Sequence, residues 1–327
     1  MQNKEKDIKY CGVNEQKIKN AQPTLDTLSL ELFTHWINER YKIHIYKDVE
    51  GKPRPWTTDK ILANYRFTNV RREMDRQTKY LIDNIVNNSG LSMEEKIVNI
   101  IIFRYWNLWD TMRDFGGPWS IPQFMDDSTI GHAQEVYNKL VSENAKHGFF
   151  TKAFFTSGAK INVKKAYGRE NTVLGAFDLA RDVINKDIPN KILQAQNQEE
   201  ATNIIKTLPG IAGFLSYQMF VDMTYIPEFP FSENEFTVAG PGCKNGLRRL
   251  FENTDKMTAE ECIFWLRDNL CDIAPQLNPV ALMTDLPVEE RFISVMSLEN
   301  CLCEFSKYHR AYHNQGRPKQ KYIPTKE

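Results

Sequence analysis

The chain has 327 residues, with 42 basic and 42 acidic side chains and no formal net charge at pH 7. That length allows one large or two modest domains with a full core, while the charge balance excludes a nucleic-acid footprint spread over the whole surface and leaves that work to local clusters. No apolar run reaches the roughly 20 residues that span a bilayer, and the opening MQNKEKDIKY is polar, so the sequence reads as soluble and cytoplasmic with no membrane partner.

In chain order, residues 1–23 carry little apolar periodicity and read as a loose N-terminal arm. Residues 24–310 read as a single helical domain, and residues 311–327 as a basic extended tail. Leu25, Leu28, Leu30, Leu32, Phe33, Trp36 and Ile37 recur at spacings near three and four and predict a helix ending near Arg40. YKIHIY (41–46) alternates as a short strand would, and Lys52-Pro53-Arg54-Pro55-Trp56 must be extended, because each proline restricts its predecessor. Apolar periodicity then predicts helices at 57–64, 68–87, 92–110, 131–146, 172–184, 198–206, 211–224, 243–252, 258–271 and 288–309. Loops break the pattern at 115–127 and 226–242. The fold class is all-α, with little strand.

Two turns draw attention. Leu208-Pro209-Gly210 joins two helical runs, and Gly240-Pro241-Gly242 opens a basic helix containing Lys244, Arg248 and Arg249. Amides at a helix start lack intrahelical partners and suit an anion such as phosphate, and glycine lets a backbone approach closely. Leu208, Gly210, Ile211, Gly213, Gly242 and Lys244 are therefore candidate DNA-backbone contacts; the competing reading is a plain helix-to-helix connector. Further basic segments carry Arg66, Arg71, Arg72 and Arg76, then Lys152, Lys160, Lys164, Lys165 and Arg169, then Lys307, Arg310, Arg317, Lys319 and Lys321. Each is either a solvated face or a phosphate contact. The six cysteines form no CxxC pair and have no zinc-like histidine spacing, so neither disulfide nor metal is expected. GxxxxGK[ST], GxSxG, HExxH and the dinucleotide glycine fingerprint are all absent, which argues against a P-loop kinase among other chemistries.

The hairpin TLPGIAGFLSYQ resembles the helix-hairpin-helix of the DNA glycosylase superfamily. Four stretches resemble, in order, a phage and bacterial family labelled hydroxymethyluracil DNA kinase helical domain or glutamyl/putrescinyl-thymine pyrophosphorylase: RFTNVRREMD (66–75), LPGIAGFLSYQMFVDMTY (208–225), EFTVAGPGCKNGLRR (235–249) and ENCLCEFSKYHR (299–310). Some relatives are glycosylases acting on hypermodified phage DNA. The resemblance thus implies a two-lobed glycosylase-like fold and a DNA glycosylase used against phage DNA, with DNA as partner and no cofactor. Two departures stand out. No lysine follows the hairpin glycine in Gly213-Phe214-Leu215, which implies hydrolysis by water without an imine, and the superfamily's aspartate position falls near Gly240.

Cleaving an N-glycosidic bond calls for a carboxylate beside the developing cation. Asp222, in the apolar run Met219-Phe220-Val221-Asp222-Met223, is the first candidate; a salt bridge is the competing reading. Glu304 is the second, sharing a helical face with Asn300, Lys307 and Tyr308, either as a reactive constellation or as an ion pair with Lys307. Glu233 and Glu235 are fallback acids. Gln218, Asn69 and Trp119 are assigned to a base pocket; Trp119 belongs to an aromatic set with Phe103, Tyr105, Trp106, Trp109, Phe115, Phe149, Phe150, Phe154 and Phe155, most of which are expected to pack the core. A transferase acting on thymine derivatives in DNA and a non-enzymatic DNA-binding module are the two other readings.

Overall fold

The structure is a computed structural model that describes residues 13–143, 148–151, 157–318 and 320–322. Most of the expected arm, together with Lys152, Phe154, Phe155 and Lys319, lies outside the described residues. The principal helices are α1 (Thr27–His44), α2 (Met93–Trp106), α3 (Gln198–Lys206), α4 (Gly213–Met223), α5 (Pro241–Leu250), α6 (Ala259–Ile273) and α7 (Val295–Tyr312). The fold is all-α, and among the described residues the only sheet is an antiparallel pair, Thr24–Leu25 with Phe251–Asn253. The chain divides into a terminal unit, residues 1–75 with 233–327, and a central unit, residues 76–232.

In the terminal unit, α1 is capped by the Asp26 carboxylate, which accepts from the Ser29 amide at 2.7 Å. YKIHIY is not a strand. Tyr41, four residues beyond Ile37, extends the buried stripe of α1, and the helix runs to His44 and into a π turn at Ile45–Val49. Tyr41 and His44 both bond to Asp285, at 2.8 and 3.3 Å. Phe33 of α1 meets Phe305 of α7 edge-on at 5.2 Å. Helices α5 and α7 touch at backbone distance: a Cβ on Gly246 would lie 2.8 Å from the Leu302 carbonyl carbon, and one on Gly242 would lie 3.2 Å from the Cys303 Cβ.

In the central unit, α2 starts at a reciprocal Ser92/Glu95 capping box, and Ile97 to Trp106 are all buried. Asn99 on α2 clamps both backbone groups of Trp119, donating to its carbonyl at 2.6 Å and accepting from its amide at 2.9 Å. The Trp119 ring packs on Phe177, Phe124 and Trp106 with centroids 5.1, 5.4 and 6.2 Å away. It is 3% exposed, so the residue assigned to a base pocket is a core residue. The helix Ser157–Tyr167, unforeseen from periodicity, buries Val163 against Gly175.

Candidate functional site

The hairpin forms as expected: α3 ends at Lys206, and α4 starts at Gly213 after a turn in which Gly210 has φ +80°. Leu208 and Ile211 are buried anchors of that turn. What Gly210 admits, however, is the protein's own backbone, since a Cβ there would sit 2.6 Å from the Ala159 carbonyl oxygen. Gly213 faces open space and its helix start carries no side-chain cap, which leaves it as the position in this turn free to meet a ligand. Further along α4, Gln218 and Asp222 are 1% and 0% exposed. Asp222 accepts from Arg104 Nε at 2.5 Å, and Arg104 also donates to Asn107 at 2.6 Å. The carboxylate chosen first for catalysis thus sits in a buried ion pair.

The second glycine turn is corrected more sharply. The Gly240 amide donates to Glu299 Oε1 at 3.1 Å, and the Ala239 amide to Glu260 Oε1 at 3.0 Å, so two of the protein's own glutamates already occupy these amides at the start of α5. Gly242 packs against Cys303, which gives its missing side chain a role in helix packing. Lys244 and Arg66 are exposed. Arg71 is buried, paired with Glu73 and the Glu290 carbonyl and stacked over the Phe292 ring at 5.6 Å, which ties its guanidinium into the fold.

Three of the four family-like stretches meet in the terminal unit and build a polar constellation. On α7, Asn300 donates to Thr68 Oγ1 at 2.9 Å and to the Asn69 carbonyl at 3.3 Å, while Cys301 reaches the Val70 carbonyl at 3.5 Å. One turn on, Glu304 accepts from the Thr68 amide at 3.4 Å and from Lys307 Nζ at 2.5 Å. The ion pair read from the helical spacing is present. Asp75 accepts from the Asn69 amide at 2.8 Å, and the charges of Arg40, Glu304 and Arg72 all act on it. Asn69 Oδ1 and Arg40 Nη1 are buried and make no hydrogen bond among the described residues. One is an acceptor and the other a donor, and leaving either unsatisfied in a native fold costs free energy.

The electrostatics set these acids apart. Burial raises Asp75 to about 6, against the bond from Asn69 and the pull of Arg40. Burial raises Glu299 to about 7, opposed by the Gly240 amide and Arg72. Burial and then the charge of Glu73 raise Glu233 to about 7, opposed by its hydrogen bond with Ser294 and by Arg71 and Arg72. Carboxyls that titrate near neutrality are suited to taking or giving a proton under ordinary conditions. Among the described residues no group of three or more His, Cys, Asp or Glu side chains is arranged to hold a metal. Two surface hollows of about 320 and 160 Å³ lie elsewhere, beside Trp265 and beside Phe292, and neither is lined by Asp75, Glu299 or Glu304.

Sequence reasoning singled out Glu304, Lys307 and Asn69 but passed over Arg40, Asp75 and Glu299. Asp75 and Glu299 lay inside the quoted stretches as unexplained acids; Arg40 had no local signal beyond its place near the end of an apolar stripe.

An all-α chain whose Asn and acid side chains converge from stretches 66–75 and 299–310, with the Gly240 amide of stretch 235–249 on Glu299, defines a class. The chain belongs to the family described as 5-hmdU DNA kinase, helical domain, which matches residues 27–317. A protein of Bacillus phage SP10 named 5-hmdU DNA kinase is 23% identical to it over 321 residues, 94% of this chain and 49% of that protein. The chain therefore spans about half the length of that curated relative. No solved structure matches it. The relative's name is that of a kinase, a transferase, and this overturns the expectation of a glycosylase that hydrolyses N-glycosyl bonds.

Proposed function

We propose that the chain is the DNA-recognising helical part of a transferase that modifies a 5-(hydroxymethyl)uracil-type base in DNA. The observation that carries this reading is the presence of two buried unsatisfied groups, Asn69 Oδ1 and Arg40 Nη1, on residues that both act on Asp75, Asn69 through its amide and Arg40 through its charge. A pyrimidine edge offers an N–H next to a carbonyl oxygen, the complement of one acceptor and one donor. In this reading Asn69 accepts from the ring N–H, Arg40 donates to a ring carbonyl, and Asp75 takes the hydroxymethyl proton as that oxygen attacks the terminal phosphoryl group of a nucleoside triphosphate, whose P–O bond breaks to release the nucleoside diphosphate. The sequence holds no GxxxxGK[ST], so binding of the phosphoryl donor is not assigned to these residues. The names of the family and of the phage relative support the substrate class.

The test is a binding comparison between duplexes that differ only by 5-(hydroxymethyl)uracil in place of thymine. The expected result is a preference of at least about tenfold for the modified duplex, because a site built around a hydroxyl rejects a ligand lacking it. Asn69→Ala should weaken binding of the modified duplex. Equal affinity of the unaltered protein for the two duplexes would sink the proposal.

A further inference from the structure

We infer that Arg54, held in the corner formed by the perpendicular rings of Trp56 and Tyr322, is a preformed clamp for a DNA backbone phosphate on the chain that leads into the 66–75 stretch; this rests on the proposed reading of the chain as a DNA-recognising protein. The Arg54 guanidinium carbon lies 4.8 Å from the Trp56 ring centroid and 4.3 Å from that of Tyr322, and the two rings meet edge-on at 6.3 Å. Trp56 is itself fixed, since its indole N–H donates to the Lys52 carbonyl at 2.7 Å. Because the two rings are perpendicular, the guanidinium lies face-on to at most one of them, and the N–H donors that do not point at the other ring keep the fork geometry that matches phosphate oxygens. Arg54 is exposed, and among the described residues no acid pairs with it.

The neighbouring charges sharpen the assignment. Lys47 and Lys52 sit over Trp56 and Tyr46, at 5.8 and 4.2 Å, but each is already compensated, Lys47 by Asp48 at 3.0 Å and Lys52 by Glu50 at 2.5 Å. His44 also bonds to Asp48, at 3.1 Å. Among the described residues, the exposed cations without a paired acid here include Arg54 and, along the bridge that pairs Tyr65 with Lys321, Arg66 and Lys321. The bridge is reinforced by the Arg66 amide donating to the Gln320 carbonyl at 3.0 Å. Backbone bonds connect the two places: the Tyr322 amide donates to the Asn64 carbonyl at 2.9 Å, four residues before Thr68, whose amide donates to Glu304. A strand whose phosphate is held at Arg54 is thereby brought beside the groups proposed to read its base.

The experiment measures anisotropy of a labelled duplex, with thymine or with 5-(hydroxymethyl)uracil, across a series of salt concentrations. Arg54→Gln should weaken both duplexes alike, by about three- to tenfold near 100 mM salt, and should lower the slope of log affinity against log salt by about 0.9, one phosphate contact. Trp56→Ala should weaken binding while leaving the slope in place, because the charge remains and only its fixed posture is lost. If the unaltered protein binds DNA and Arg54→Gln changes neither affinity nor slope, the clamp is wrong and the proposed function stands. A lowered melting temperature with an unchanged slope would show that Arg54 only pins the C-terminal segment, and would also overturn it. A loss confined to the modified duplex would make Arg54 a base reader, contrary to the inference. Failure of the unaltered protein to bind either duplex at low salt would remove both readings.

Discussion

Glu299 accepts the Gly240 amide at 3.1 Å, so a carboxyl group of the protein closes the start of α5 where the sequence alone invites a phosphate. The arrangement satisfies a helix-start donor, but it does so with an acid that is 3% exposed and held at about 7.

This gives a pH prediction. In the unfolded chain a glutamate titrates near about 4.3, whereas burial raises Glu299 to about 7 in the fold. Between those values the native state keeps a proton that the unfolded state has released. The contribution is therefore complete below about pH 4.3 and is lost as pH rises through 7. Glu299→Gln, which can still accept from Gly240, should be more stable than the parent at pH 8 by on the order of 1–3 kcal/mol, with the difference vanishing near pH 4.5. Urea titrations at the two pH values measure it. His309, lowered to about 4 by burial, by His313 and by Arg249, acts in the opposite sense: its contribution is present above its ordinary value and is lost as pH falls through 4. The comparison must therefore be variant against parent and not one profile alone.

Two glycines separate packing from ligand approach. Gly246→Ala drives a methyl group into the Leu302 carbonyl, backbone that cannot swing aside, and should cost about 1–3 kcal/mol by denaturant unfolding. Gly213→Ala meets nothing within 4 Å and should leave the fold as stable or stabilise it by about 0.5–1 kcal/mol. If the start of α4 lies against DNA, the same Gly213→Ala protein should bind duplex less tightly while melting normally. Gly210 cannot serve for that test. With φ at +80° and the Ala159 backbone against it, any side chain there disturbs the turn itself.

Asp222→Asn should be a stability variant. Removing the charge breaks the buried ion pair with Arg104, itself 2% exposed, a change that typically costs about 3–5 kcal/mol. Chemical denaturation of the variant measures the loss, and an unchanged midpoint would show that the Arg104–Asn107 bond and the remaining contacts suffice.

Much of the helical framework was legible because it is written locally. The apolar stripe of α1 and the apolar periods at 92–110 and 258–271, read as helices without the equally local Ser92/Glu95 and Thr258/Glu261 boxes that start α2 and α6, each need only consecutive residues. The same is true of Asn300, Glu304 and Lys307, which share a face of α7 by spacing alone. What the spacing could not supply was their partner, since Thr68 lies 232 positions away from Asn300. YKIHIY misled because its alternation is short, and Tyr41 obeys the longer period of the helix before it. The two glycine turns misled for a related reason: a glycine announces that something approaches closely, without saying whether that is a ligand or, as with Ala159, Cys303 and Leu302, the rest of the chain.

The terminal unit is made from both sequence ends, residues 1–75 and 233–327, with the central unit contained in between. Biosynthesis then imposes an order of assembly. When residue 232 leaves the ribosome, the central unit has all of its chain, while α1 and the 66–75 stretch still wait for α5 and α7. At about 5–20 residues per second that wait lasts on the order of 5–20 s. During it the apolar face of α1, with Phe33, Trp36 and Ile37, has none of its later partners from α7 to cover it. A nascent chain halted in this interval is the form in which chaperone dependence and aggregation should be concentrated.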